Sequence, residues 1–119
     1  MIMSDYTQIG KEIYATLKGL VNNRVYPLVA EQTTSFPFII YHTSASRPVS
    51  EKDRTYCDWE FTITIDVVDN SYDNVIQLCD DALDELYKLD EHYDVTVNSI
   101  NELYQDDAYV REIEITIKK

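Results

Sequence analysis

Carboxylates dominate the chemistry open to this chain. Twenty-two of its 119 residues are Asp or Glu, and two carboxylates at a suitable separation can act as general acid and base or hold a cation. No pair, however, stands apart from the general acidic pattern. Asp69-Asn70-Ser71-Tyr72-Asp73 resembles the start of a calcium loop but lacks the central glycine and the closing glutamate; helix capping explains it better. Asp90-Glu91-His92-Tyr93-Asp94 offers a single nitrogen donor without ligand spacing, which fits an exposed loop. His42 falls within a strand pattern. Cys57 and Cys79 form no CxxC or Cys/His cluster, and no Ser or Cys occupies a nucleophile elbow. The expectation is a protein that is not an enzyme and takes no metal or cofactor, with two free, partly buried thiols suited to a reducing cytoplasm.

The charge balance narrows the partners. Ten bases against 22 acids leave a formal charge of −12, which repels phosphate backbones and argues against stable nucleic-acid binding. Gly10 and Gly19 are the only glycines, too far apart for a P-loop or a dinucleotide-binding turn. The start, Met1-Ile2-Met3-Ser4-Asp5-Tyr6, does not read as a signal peptide. No apolar run approaches the ~20 residues that cross a bilayer, so no membrane association is expected. A length of 119 residues suits one domain, 1–119.

Hydrophobic spacing predicts the elements that must carry these groups. Tyr6, Ile9, Ile13, Leu17 and Leu20 recur at helical spacing, predicting a helix over about 5–20, with Asp5 and Gln8 placed as a capping box. Arg24-Val25-Tyr26-Pro27 reads as a short extended piece. A strand over 38–46 and another over 55–68 form a hairpin; in the second, Trp59, Phe61, Ile63, Ile65 and Val67 alternate with Glu60, Thr62, Thr64 and Asp66. A second helix covers about 71–89, capped by Asn70 and Asp73, with Tyr72, Val75, Ile76, Cys79, Leu83 and Leu86 as its buried stripe. Two strands, 93–104 and 109–118, close the chain around Gln105-Asp106-Asp107-Ala108. The order α-β-β-β-α-β-β, its first strand short, points to an α+β fold: an antiparallel sheet of about four strands with both helices on one face.

Two clusters then stand out as candidate sites. The mixed-charge segment Arg47-Pro48-Val49-Ser50-Glu51-Lys52-Asp53-Arg54 is expected to be a loop, with Arg47, Glu51, Lys52, Asp53 and Arg54 as a docking element. Asp80, Asp81, Asp84 and Glu85 gather on the outer side of the second helix, where like charges four residues apart repel mildly. They are a solvated face, an acidic surface turned toward DNA or a basic partner, or a cation site. The ten tyrosines exceed the needs of a small core and suit an assembling protein.

Together, several local motifs resemble the tail completion (tail terminator, head–tail joining) proteins of long-tailed phages and prophages. The resemblance covers about residues 9–117. It rests on a first helix ending before Arg24-Val25-Tyr26-Pro27, on Phe36-Pro37-Phe38-Ile39-Ile40-Tyr41, and on a long alternating strand ending at Asp66-Val67-Val68. An amphipathic helix follows, and then Tyr104 and Tyr109-Val110-Arg111 leading into Ile113-Glu114-Ile115. Asn22-Asn23 stands where the family often has a glycine or aspartate. The resemblance implies a structural virion protein that makes itself into a ring, usually a hexamer, at the head-proximal end of the tail tube. Its partners would be the tail tube protein and the head–tail connector or stopper protein. It would be found in the host cytoplasm during assembly and then in the virion at the tail–head junction, with DNA passing through in transit only. A negative lumen would let DNA pass with few contacts. Charge and size fit an acidic DNA-mimic inhibitor of a DNA-binding protein equally well. A small-molecule-binding domain would instead require a well-formed apolar pocket.

Overall fold

The computed structural model describes residues 2–30, 33–50, 57–91 and 93–118; side chains at 2–7, 45–59, 90 and 91 lie outside that description. Two α-helices, α1 (Ile2–Leu17) and α2 (Tyr72–Tyr87), and five strands, β1 (Val25–Pro27), β2 (Phe38–Ser50), β3 (Cys57–Asp69), β4 (Asp94–Gln105) and β5 (Ala108–Lys118), make up an α+β fold. The sheet order is β1-β2-β3-β5-β4. Its four long strands are antiparallel, and β1 adds a fifth, pairing parallel to β2 with Val25 opposite Ile39. The short strand expected outside the sheet thus becomes its edge.

One hydrophobic core joins the layers. Ile9, Ile13 and Leu17 of α1 and Val75, Leu78, Cys79, Ala82 and Leu86 of α2 pack on Ile39, Phe61, Ile63, Ile65, Val67, Ile113, Ile115 and Ile117. The alternation in β3 and β5 therefore places both helices over one face and leaves the other without helical cover. In α2 the buried stripe is rotated from the expected one: Leu78 and Ala82 are buried, whereas Tyr72 is exposed. The cap is Ser71, whose hydroxyl accepts from the Asn74 N–H, rather than Asn70. Helix α1 begins at Ile2, so Asp5 lies inside the helix and not at its expected start.

The turns explain themselves chemically. Asn22 and Asn23 both have left-handed φ, 51° and 68°, a conformation asparagine tolerates better than most side chains. Asp106 and Asp107, at φ 54° and 60°, are the two central residues of a tight hairpin of the type that needs positive φ at both.

The structure also connects two motifs distant in sequence. The Arg24 Nε donates to the Pro37 carbonyl at 2.9 Å and its Nη2 to the Phe36 carbonyl at 3.2 Å, while the Ile39 N–H donates to the Arg24 carbonyl at 2.9 Å. Arg24 thereby pins β1 to the entry of β2. Arg24→Ala is expected to lower the stability by about 2 kcal/mol, and Arg24→Lys to restore only part, because an ammonium lacks the fork that reaches both carbonyls. Urea unfolding of the three proteins checks this.

Candidate functional site

Strand β2 runs through Ser50, so Arg47 to Ser50 belong to a strand and not to the expected loop. Arg47 pairs with Glu60, Pro48 with Trp59, Val49 with Asp58 and Ser50 with Cys57. Strand β5 reaches only as far as Glu60, so positions 48–50 and 57–59 form a two-stranded arm beyond the main sheet. Pro48 is tolerated there because β1 ends opposite Tyr41 and leaves this part of β2 as an edge. Glu51, Lys52, Asp53 and Arg54, the rest of the candidate docking element, lie outside the described residues.

The acidic group on α2 is brought together as its spacing implies. Asp80 and Asp84 are exposed, and Asp81 and Glu85 half-buried. Two of the four already have partners: Asp81 accepts from Gln77 Nε2 at 3.0 Å, and Glu85 bonds Lys88 Nζ at 2.6 Å. The hydrogen bond and charge of Glu85 raise the Lys88 pKa.

A second acidic feature, on the uncovered sheet face, was not singled out from sequence. Asp66 of β3 lies directly across from Glu112 of β5. Burial, the neighbouring Glu112 charge and a hydrogen bond to Glu112 push the Asp66 pKa up to about 6, against a smaller lowering effect of His42. Asp66 Oδ1 is buried without a hydrogen-bond partner. The pair lines a concavity of about 500 Å³ with Phe36, Phe38, Ile40, Val68, Leu103 and Val110. Phe36 and Phe38 stack with centroids 5.8 Å apart, and Phe36 is 40% exposed. Only the pairing register could reveal this site, because Asp66 and Glu112 are 46 positions apart in the sequence.

The end of β4 is a third surface. Its residues 98–105 are exposed, including Ile100, Leu103 and Tyr104. Tyr72 donates to Glu102 at 2.9 Å and stands edge-on to Tyr109 at 5.4 Å, and Tyr109 in turn meets Tyr104 at 4.9 Å. Arg111 reaches Glu102 at 3.5 Å. These contacts tie the exposed strand end to the start of α2, so several tyrosines serve the sheet margin rather than the core. Cys79 is a free, buried thiol, and burial pushes its pKa up, leaving it a core residue and not a nucleophile. Cys57 lies outside the described side chains. Among the described residues no cluster of three potential ligands could hold a metal ion, and no helix is long and apolar enough to cross a membrane.

Comparison with known proteins places the fold but not the chemistry. No protein family matches the sequence, and no curated protein does. Among solved structures, a chain from the virion of a native gene transfer agent (GTA) particle superposes with a TM-score of 0.70, covering 89% of this chain and 90% of that one at 13% sequence identity. At that identity the likeness is one of architecture: this chain carries, nearly end to end, the fold of one chain of that particle.

Proposed function

We propose that the chain is a structural virion protein of the tail completion or terminator type, a homo-oligomeric ring at the head-proximal end of a phage tail tube that joins the tail to the head connector. The observation that carries this reading is the fold shared over about nine-tenths of both chains with a chain of a phage-like virion particle. The two motifs joined through Arg24 support it, since they are the ones by which the sequence resembles tail completion proteins. In this role the protein catalyses nothing. The acidic surface of Asp80, Asp81, Asp84 and Glu85 faces a basic partner or the passing genome, and the arm beginning at Arg47 docks a neighbouring component. The fold likeness favours this role over a DNA mimic, for which size and charge are the only support.

Two measurements test it. Light scattering after size exclusion should find six copies of 13.9 kDa, about 83 kDa, with high salt favouring the assembly by screening the −12 charge per subunit. In a joining assay with purified tail tubes and heads, the reversal R47E/K52E/R54E should abolish joining with the melting temperature unchanged. A chain that stays monomeric at both salt concentrations and fails to cap tail tubes sinks the proposal.

A further inference from the structure

The concavity on the uncovered sheet face has a composition that neither solvent nor the fold explains. Most of its lining is apolar, with Thr34, Gln105 and Asp106 as polar members, and within it stand two carboxylates in register, Asp66 and Glu112. Two acids side by side in a partly dry site repel, and proteins retain such pairs at a cost in stability. The stacked Phe36 and Phe38 rings stand beside them. At about 500 Å³ the space is within the ~300–1,000 Å³ range of ligand sites.

We propose that this concavity is a docking site for an arginine side chain that a basic partner protein presents between apolar neighbours. A planar guanidinium can reach both carboxylates at once and lie against an aromatic face, which a lysine ammonium does less well. Its charge allows both acids to ionise, and the flanking apolar residues cover Leu103 and Val110. Charge complementarity selects the source: the chain bears −12, so a basic protein is drawn to this face more strongly than a second copy of the same acidic chain. The inference goes beyond the virion role and does not require a ring, since one subunit holds the whole site.

The test is an NMR titration of the ¹⁵N-labelled chain with the peptide Ac-Val-Arg-Val-NH2 and with its citrulline counterpart, which keeps the shape but not the charge. Saturable shifts are expected at Ile40, Val68, Val110 and Glu112. The citrulline peptide, and the D66N/E112Q variant with the arginine peptide, should each bind at least about tenfold more weakly. The variant relieves a repulsion and should fold, which its unchanged spectrum outside the site would confirm. Equal binding of both peptides, full binding by the variant, or no shift up to the solubility limit of the arginine peptide overturns the proposal. So do groove shifts that grow with protein concentration alone, which would assign the site to a second copy.

Discussion

Ile113→Ala is expected to destabilise the protein by about 3 kcal/mol or more, lowering the melting temperature by about 10–15 °C, whereas Ile100→Ala is expected to cost less than about 1 kcal/mol. The two residues are direct cross-strand partners, and Ile65 lies on the other side of Ile113. This row of three isoleucines points toward the helix layer, but Ile65 and Ile113 are 0% exposed and Ile100 is 38% exposed. The helices cover β3 and β5 and stop short of the far part of β4. Truncating Ile113 therefore opens a cavity with no solvent to fill it, and truncating Ile100 only removes surface. For a domain of this size, with a total stability of ~5–15 kcal/mol, the first change removes a large share. Differential scanning calorimetry of the two variants decides the matter; equal losses would mean that β4 is covered as well as its neighbours.

Asp66→Asn is expected to stabilise the protein at pH 7 to 8 by about 1–2 kcal/mol, with the gain shrinking toward zero near pH 4. The sign follows from the direction of the shift. The Asp66 pKa is raised in the fold, from 3.8 to about 6, by burial first and by Glu112 second. A carboxyl whose folded pKa is raised favours the fold when protonated, so its contribution is fully present below the unfolded value near 4 and is lost as pH rises through about 6. A two-unit shift would correspond to about 3 kcal/mol; Asp66 is only half-buried, and solvent screening reduces this. The amide removes the charge that opposes Glu112 and can still donate one hydrogen bond to it. Urea unfolding of both proteins at pH 4, 6 and 8 checks this. A constant difference across that range would show that packing, and not ionisation, separates them.

The α+β class, the order of elements and most of the core were legible in the sequence. Ile9, Ile13 and Leu17 at helical spacing, and Phe61, Ile63, Ile65 and Val67 at strand spacing, each mark a face by local periodicity, which needs no knowledge of the partner. The acidic outer face of α2 was equally plain, since positions 80, 81, 84 and 85 fall on one side of a helix by their spacing. Other features depended on which segments meet. Val25-Tyr26-Pro27 joins the sheet because β2 leaves an edge beside it and Arg24 bonds the carbonyls of Phe36 and Pro37. Arg47 to Ser50 read as loop because they open a segment of mixed charge that contains a proline, yet the pairing with β3 carries them into a strand edge where proline is tolerated. Tyr72 fits the apolar stripe of α2 by spacing but sits outside the core, where Glu102 takes its hydroxyl. The Asp66–Glu112 pair lies at the far limit of sequence reasoning. Either residue alone is an ordinary polar position on an alternating strand, and only the register of β3 against β5 sets them opposite each other. Periodicity is a local property that a sequence states directly; register and the extent of helix cover arise from contacts between segments far apart in the chain, and those are decided only when the whole core closes.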